Sequence, residues 1–268
     1  MLNFAIRVAR DAGRLLRDRL NTGFDIAHKG SINIVTEVDL ASEKLIREAI
    51  STYYPRHEIL GEEGGLTESR SDYRWVVDPL DGTTNYAHGY PVFCVSIALE
   101  HQGETVLGVV YDPTRDELFA AERGGGAALN NRPIRVSSVG DLMNSLLSTG
   151  FPYDIKTSSF TNLDHWANFA MNAQALRRDG AAALDLCYVA CGRFDGFWEL
   201  NLSAWDTAAG ALIVSEAGGR VTDFRGDKFS NYEPQIVASN GLIHDRMIEV
   251  LLGGQGPVAG GRGQNPSS

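Results

Sequence analysis

The chain has 268 residues, of which 43% are hydrophobic and 22% charged, and its formal net charge is −10. This composition is ordinary for a globular protein, and the length suffices for one large domain or two modest ones. No run of Lys or Arg stands against the acidic balance. General nucleic-acid binders gain affinity from cationic side chains that replace phosphate counterions, so we expect no direct nucleic-acid partner.

The cysteine count and the N-terminal sequence indicate the cellular compartment. Three cysteines, an odd number in a chain of this size, argue against a disulfide framework. Residues 1–20 contain five arginines and two aspartates and lack the apolar run of a signal peptide. No segment approaches a membrane-spanning length. We therefore expect no membrane association and a location in the reducing cytoplasm.

Two helical patterns open the chain. Apolar residues recur at helical spacing over residues 2–20, with arginines between them. Thr36, followed three residues later by Asp39, is typical of a helix start. The second pattern covers residues 38–53 and ends before Pro55, which disfavours a helical residue in front of it.

The middle of the chain changes to the period of strands. Short apolar or alternating runs, bounded by turn residues, occupy residues 73–77, 93–99, 106–111 and 118–121. They predict a mainly antiparallel sheet packed against the first two helices.

The second half alternates between the two periods. It predicts strands at 146–149, 194–200, 221–224 and 236–238, and helices at 161–175, 181–191, 205–217 and 243–252. This order favours an α+β fold of stacked helix and sheet layers over an all-parallel wound sheet.

The most informative segment joins an apolar run to two aspartates three residues apart. It reads Trp75-Val76-Val77-Asp78-Pro79-Leu80-Asp81-Gly82-Thr83-Thr84-Asn85. Pro79 fixes its own φ and offers no N–H, while the residues after Asp81 could open a helical turn whose free N–H groups attract an anion. One short stretch can therefore hold a hard cation on carboxylate oxygens and a phosphate on amide hydrogens.

Each acid also has an ordinary structural interpretation. Alone, Asp81 is typical of a helix N-cap and Asp78 of a turn at a strand end. Asp206, at the start of the apolar helix 205–217, is equally consistent with an N-cap. The combination favours a site, because a further acidic pair, Glu62-Glu63, also follows a short apolar strand.

On these residues the chain resembles the inositol monophosphatase family, and most closely its bacterial members. The matching segments are Gly61-Glu62-Glu63, Asp78 to Asn85, and Trp205-Asp206 followed by Glu216-Ala217-Gly218-Gly219. The resemblance implies a layered αβαβα sandwich of the sugar-phosphatase type. It implies one catalytic domain over residues 1–252, with a metal-binding α+β half at about 1–140 and an α/β half at about 141–252. Residues 253–268 are Gly-rich and predicted to be a disordered tail.

The resemblance also implies a magnesium cluster of two or three ions. Glu62, Asp78 and the backbone carbonyl of Leu80 would hold the first ion. Asp78, Asp81 and Asp206 would hold the second, and Glu62 could help to bind a third. Without cations, clustered carboxylates would repel a phosphate and one another by about 4 kcal/mol per pair at an effective dielectric near 20. Bound Mg²⁺, which prefers hard oxygen ligands, reverses that sign.

A further group of residues would act on the phosphate and the attacking water. In the resemblance, Gly82 and Thr83 meet the phosphate through backbone N–H groups, beside Asp81. Asp39 would pair with Thr83, whose hydroxyl helps to position or deprotonate the water. Glu62, Thr83 and Asp39 are therefore the predicted catalytic residues.

Further positions would touch the rest of the substrate. Glu199 matches a position that accepts hydrogen bonds from polyol hydroxyls, although an acid on a solvated strand face is an equal alternative. Ala182 matches a position whose backbone touches the polyol. Lys29 would lie near the metals. Arg178 could receive a second phosphate, or belong to a subunit interface or the surface.

The leading prediction is hydrolysis of inositol 1-phosphate, a small phosphate ester, with tolerance for other polyol phosphates. Alternatives of the same chemistry are a fructose-1,6-bisphosphatase, a histidinol-phosphatase, a broad sugar phosphatase and a nucleotide 3′-phosphatase. An alternative of another class is a regulatory protein that binds a protein partner through a phosphatase scaffold. The resemblance also suggests lithium inhibition and a symmetric homodimer.

Overall fold

Two sheets alternate with three layers of helices in this computed structural model, which describes residues 1–20, 26–28, 34–158 and 161–253. The outermost layer contains α1 (Leu2–Arg19) and α2 (Glu37–Tyr53). A hairpin of β1 (Ile26–His28) and β2 (Ile34–Thr36) lies between them in the chain. The predicted positions of Lys29 and of residues 254–268 are outside the described residues.

An eight-stranded sheet forms the second layer. Its strands are β3 (Glu58–Gly61), β4 (Gly65–Thr67), β5 (Tyr73–Asp81), β6 (Cys94–His101), β7 (Glu104–Asp112), β8 (Glu117–Glu122), β9 (Gly126–Leu129) and β10 (Arg132–Pro133). The strand order is β10-β9-β8-β7-β6-β5-β3-β4, and only the β3–β5 pair is parallel. The predicted antiparallel sheet is therefore confirmed.

The remaining three layers come from the second half of the chain. The five-stranded sheet has the order β12 (Ala175–Arg177), β11 (Leu146–Thr149), β13 (Gly196–Leu200), β15 (Gln235–Ser239) and β14 (Arg220–Thr222). Helices α5 (Ala182–Ala190) and α6 (Ala204–Glu216) are packed between the two sheets, and α4 (Leu163–Asn172) and α7 (His244–Leu251) cover the far side. These layers are the αβαβα sandwich that the resemblance implies.

Three apolar cores hold the layers together. The first lies between α1, α2 and the eight-stranded sheet, where Leu16, Ile46 and Trp75 are fully buried. The central core surrounds α5 and α6, and the third lies under α4 and α7. Burying a large apolar side chain contributes about 1.5–3 kcal/mol. Helix α1 has one apolar face and therefore lies at the outside of the stack, whereas α6 is apolar on nearly all sides and lies between the two sheets.

A glycine brings α6 close to the sheet. A Cβ on Gly108 of β7 would lie 2.7 Å from the carbonyl oxygen of Ala209 in α6, which is well inside van der Waals contact. Only glycine allows that approach without moving the helix. Because α6 begins with Ala204 and carries Asp206 in its first turn, this contact also fixes where Asp206 stands.

Two sequence predictions need correction. The helix expected at 161–175 is shorter, because Ala173 is extended and the N–H groups of Gln174 and Ala175 donate to the carbonyl of Ser145, which starts β12. The strand expected to stop at Val77 continues to Asp81. No helix in the described parts of the chain is both long and apolar enough to cross a membrane.

Candidate active site

A bulge in β5 brings Asp78 and Asp81 to the same face of the sheet. Side chains alternate along a strand, so residues three apart normally point in opposite directions. Here Asp78 pairs with Ser96 and Asp81 with Cys94, so three steps along β5 oppose two along β6. The extra residue in β5 shifts the alternation of side chains by one position. Both carboxylates therefore point to the same side of the sheet, toward α5 and α6.

Asp81 caps a helix, but not the one that follows it. The helix that follows is the short α3 (Thr83–Ala87), whose N-cap is Gly82 at a φ of 93°. Asp81 instead accepts a hydrogen bond from the N–H of Ala183 at 2.8 Å, across the layer boundary. Ala181, the N-cap of α5, makes no side-chain cap bond, and Asp81 takes over that role.

Asp206 arrives from the opposite side of the cavity. It is the third residue of α6 and completes a capping box with Ser203, whose N–H donates to its Oδ2 at 2.7 Å. The N-cap itself is Ser203, so the simple N-cap interpretation of Asp206 is wrong. Asp206 lies close to Asp78, because each carboxyl group affects the pKa of the other.

Glu62 and Leu80 lie in the same cavity as the three aspartates. Glu62 follows β3, and its N–H donates to the carbonyl of Val77 at 3.2 Å, next to Asp78. The four acids Glu62, Asp78, Asp81 and Asp206 line one cavity of about 200 Å³, together with Leu80, Gly82, Thr83, Ala182 and Glu199. Residues separated by more than 140 positions in the sequence therefore meet in a single pocket.

The electrostatics of this pocket disfavour negative charge. Burial raises the pKa of Asp78 well above its usual range, and the charges of Glu62, Asp81 and Asp206 raise it further. Burial and the charge of Asp81 also raise the pKa of Asp206. Burial raises the pKa of Asp81 to about 7, although the N–H of Ala183 opposes the shift. Each of the three aspartates lies close to other acids, so their negative charges oppose ionisation of the whole group.

A divalent cation fits this donor set. Carboxylate oxygens and a backbone carbonyl are the ligands that Mg²⁺ prefers. Among the described residues, no group of three His, Cys, Asp or Glu side chains already stands in a ligand arrangement around one point.

Asp39 and Thr83 form the pair that the resemblance implies. The hydroxyl of Thr83 lies 2.9 Å from Oδ1 of Asp39 and 3.1 Å from the carbonyl oxygen of Leu80. Oδ2 of Asp39 accepts from the N–H of Thr36 at 2.8 Å, in the capping box that starts α2. One carboxylate thus serves both the helix and the site. Burial raises the pKa of Asp39, while the bonds from Thr36 and Thr83 oppose the rise.

Glu199 faces the cavity and not solvent. Only 9% of it is exposed, which contradicts its interpretation as a solvated strand acid. Burial raises its pKa to about 8, the charge of Asp206 adds to the rise, and Arg178 opposes it. A Cβ on Gly150 would lie 2.0 Å from Oε1 of Glu199, so this glycine makes room for the carboxyl group.

The cavity wall includes residues that sequence reasoning missed. These are Gly150 and Tyr153, which lie after β11. Arg178, a candidate from the sequence, lines the same cavity and lies beside Gly180 on the way to α5. The pKa of Tyr153 is raised by burial and then by the four carboxylates, so its hydroxyl is near them. No local pattern marks Gly150 or Tyr153, because only the packing of β11 against β13 brings them to the site.

Comparison with known proteins agrees with this geometry. The family model described as "Inositol monophosphatase family" matches residues 1–253. The chain belongs to the inositol monophosphatase family. Inositol monophosphatase from Anabaena (Nostoc) sp. PCC 7120 is 43% identical, with a TM-score of 0.86, over 94% of this chain and 95% of that one.

Other members of the family carry a different name. The extragenic suppressor protein suhB from Bartonella henselae is 42% identical, with a TM-score of 0.87, over 93% of this chain and 97% of that one. A protein of Pseudomonas aeruginosa called Nus factor SuhB is 49% identical over 250 residues, which cover 90% of this chain and 91% of that protein. The family membership supports metal-dependent phosphatase chemistry in general.

Proposed function

We propose that this protein is a Mg²⁺-dependent phosphomonoesterase that hydrolyses a small polyol phosphate, foremost inositol 1-phosphate. The observation that carries the proposal is the convergence of Glu62, Asp78, Asp81 and Asp206 in one cavity, with pKa values raised for the three aspartates. Buried acids that lie close to one another are costly to ionise. Their concentration in a concave site is typical of function.

Glu62, Asp78, Asp81, Asp206 and the carbonyl of Leu80 would hold two or three magnesium ions. Bound Mg²⁺ polarises phosphoryl oxygens and makes water a better nucleophile at neutral pH. The proposal treats residues 1–252 as a single catalytic domain, because the site combines ligands from β5 and the end of β3 with Asp206 of α6 and with Glu199 of β13 in the second half of the chain.

Thr83 would orient the attacking water. Its single hydroxyl proton is directed to Asp39 in this arrangement, which leaves the oxygen lone pairs of Thr83 free to accept a hydrogen bond from water. The backbone N–H groups of Gly82 and Thr83 open α3 and would meet the phosphate. Asp39 fixes the direction of the hydroxyl and would also draw off proton density as the water attacks.

Glu199 and Ala182 would contact the polyol. Glu199 lines the cavity, and its carboxyl oxygens can accept hydrogen bonds from polyol hydroxyls. Arg178, on the same wall, favours an anionic or strongly polar substituent there, which keeps fructose 1,6-bisphosphate as an alternative substrate.

The direct test is a substrate panel with and without Mg²⁺. We expect hydrolysis of inositol 1-phosphate that a chelator abolishes and added Mg²⁺ restores, with sugar and histidinol phosphates slower. Lithium in the same assay tests the inhibition that the family resemblance suggests. Undiminished activity after thorough chelation contradicts the metal mechanism.

A regulatory role is the second candidate, because relatives 45–49% identical are called Nus factor SuhB, a name from transcription. The two candidates can be distinguished by expressing the Asp78→Asn variant in place of the natural chain in its own cells. If the variant loses both hydrolysis and the cellular function that depends on the protein, the enzyme candidate alone is supported. A retained phenotype without hydrolysis supports a binding role, and a pull-down then identifies the protein or nucleic-acid partner.

A further inference from the structure

The turn that carries Glu62 is held from below by two residues of α2 outside the proposed ligand set. Residues 62–64 connect β3 to β4, and Glu62 lies in this connection. Glu43 and Arg47, one helical turn apart on α2, form a salt bridge beneath it, with Arg47 Nε 2.5 Å from Glu43 Oε1. The fold alone does not require an ion pair at this position.

Glu43 binds the backbone directly after Glu62. The N–H of Glu63 donates to Oε2 of Glu43 at 2.7 Å, and the N–H of Gly64 donates to Oε1 at 2.8 Å. Both oxygens of one carboxylate therefore hold adjacent peptide groups. Such a two-point contact fixes the orientation of the turn as well as its distance from α2.

Arg47 reaches the other side of the same hairpin. Its Nη2 donates to the carbonyl of Gly65, and its Nη1 donates to Thr67 Oγ1 at 2.9 Å. Arg47 thus connects Glu43 to the start and end of β4 through a planar group whose geometry is fixed.

Two glycines in the sequence Gly-Glu-Glu-Gly are explained by this contact. A Cβ on Gly61 would lie 2.5 Å from Glu43 Oε1, and a Cβ on Gly64 would lie 2.7 Å from the same atom. Neither residue has a positive φ, so space and not backbone conformation requires glycine here. The glycines on both sides of Glu62 let the turn rest on Glu43.

Burial distinguishes Glu43 from its neighbours on α2. Glu43 is 3% exposed, whereas the side chain of Glu48, which pairs with Lys44 on the same helix, is 68% exposed. A buried ion pair adds little net stability, since desolvation offsets most of its attraction. Its geometric effect on the Glu62 turn is the more consistent explanation for this pair.

We propose that Glu43 and Arg47 are positioning residues that set the Mg²⁺ affinity of the site containing Glu62. The inference rests on the proposed function. Because the N–H of Glu62 is bonded to Val77, a turn released from Glu43 would pivot about that bond and move the Glu62 carboxylate relative to Asp78. Residues that orient metal ligands typically change affinity about 10–100-fold.

Isothermal titration calorimetry with Mg²⁺ alone tests this inference on the full chain. The variants are Glu43→Gln, Glu62→Gln and the double variant, with Glu48→Gln as the matched control on α2. In Glu43→Gln, the side-chain oxygen still accepts a hydrogen bond from one of the two peptide N–H groups. The amide NH₂ faces the other N–H and cannot accept a hydrogen bond from it. We expect a loss of Mg²⁺ affinity of roughly 10-fold or more, and affinity equal to the wild type for Glu48→Gln.

The double variant separates positioning from general destabilisation. If Glu43 acts through Glu62, then Glu43→Gln weakens Mg²⁺ binding in the wild type and changes it less than about 2-fold when Glu62 is already Gln. An equal loss in both backgrounds, or no loss in either, overturns the inference. A wild type that binds no Mg²⁺ overturns the proposed function itself, so the two failures are distinguishable.

Arg47→Lys provides a second variant if Glu43→Gln does not fold. Lysine retains the charge beside Glu43 but cannot reach Gly65 and Thr67 together. We expect a smaller affinity loss, about 3–10-fold, that again disappears in the Glu62→Gln background. Thermal unfolding of each variant in chelator measures the structural effect separately, and a shift in Mg²⁺ affinity without that coupling to Glu62 contradicts the inference.

Discussion

Two buried aspartates of the eight-stranded sheet, one at the end of β7 and one in β5, have opposite surroundings. Asp112, at the end of β7, is fully buried and accepts four hydrogen bonds, from the N–H and hydroxyl of Thr114 and from the N–H and guanidinium of Arg115. Asp78 in β5 is 1% exposed, and among the described residues it accepts one hydrogen bond, from the N–H of Leu80 at 3.0 Å.

The difference separates a structural acid from one that awaits a ligand. The fold itself surrounds the carboxyl group of Asp112 with hydrogen-bond donors and the guanidinium of Arg115. Asp78 meets further carboxylates instead, and their charges raise its pKa. In the proposed function, a bound cation completes the surroundings of Asp78. Burial alone therefore does not identify a functional acid; the missing donors do.

Substitution of the site acids should have the largest effect on activity. Asp78→Asn and Asp206→Asn each remove a proposed metal ligand, so we expect turnover to fall by more than about 100-fold, beyond the effect of orienting residues. In chelator at pH 8, each variant should unfold at a temperature at least as high as the wild type, because a repelling charge is gone. Turnover near the wild-type rate in either variant removes that residue from the site.

Asp112→Asn should show the opposite behaviour. The substitution removes the ion-pair partner of Arg115 and places an amide NH₂ group opposite a hydrogen-bond donor. We expect the free energy of unfolding to fall by about 3 kcal/mol. We expect Mg²⁺ affinity to be unchanged. Urea denaturation measures the first quantity and calorimetry the second, and a variant with full stability but weakened Mg²⁺ binding would reverse the assignment of the two aspartates.

His244 offers a pH test of a satisfied buried group remote from the site. Its ring nitrogens lie 2.8 Å from the hydroxyls of Thr222 and Ser239, and burial lowers its pKa from 6.5 to about 4. The unfolded chain therefore binds a proton that the folded chain does not between these values, so stability falls as pH falls. The loss reaches about 3 kcal/mol at pH 4. His244→Asn should flatten this slope; an unchanged slope assigns acid lability elsewhere.

Glu199 should affect preference more than turnover. Glu199→Gln, and Gly150→Ala, which displaces the same carboxyl group, should lower hydrolysis of inositol 1-phosphate about 10-fold relative to an aryl phosphate that lacks the polyol hydroxyls. A matched substitution, Gly140→Ala, has open space around its Cβ and serves as the control. Equal losses on both substrates would make Glu199 a structural residue.

The sequence predicted the layers and the site acids for different reasons. Amphipathic periods identified α1, α2 and the antiparallel strands, because local burial patterns reflect one packed face. The site acids came from a family resemblance carried by residues 61–63, 78–85 and 205–206. The bulge at Pro79 could not be foreseen, because strand register depends on the partner strand β6.

The unpredicted parts are contacts between distant elements. The capping of α5 by Asp81, the room that Gly150 makes for Glu199 and the Glu43 contact with the Glu62 turn join residues that no local period connects. Short strands such as β12 were missed because three residues carry too little pattern to identify.

Thermal unfolding of the wild type and of Asp78→Asn across a Mg²⁺ titration tests the central claim most directly. A ligand that binds only the folded state stabilises it by RT ln(1 + [L]/Kd), about 2.7 kcal/mol at 100 times Kd. The acid cluster predicts a wild-type Tm that rises steadily with Mg²⁺ and an Asp78→Asn Tm that barely responds. A wild-type Tm that stays constant up to millimolar Mg²⁺, or an equal rise in both proteins, would contradict a cation site built on these carboxylates.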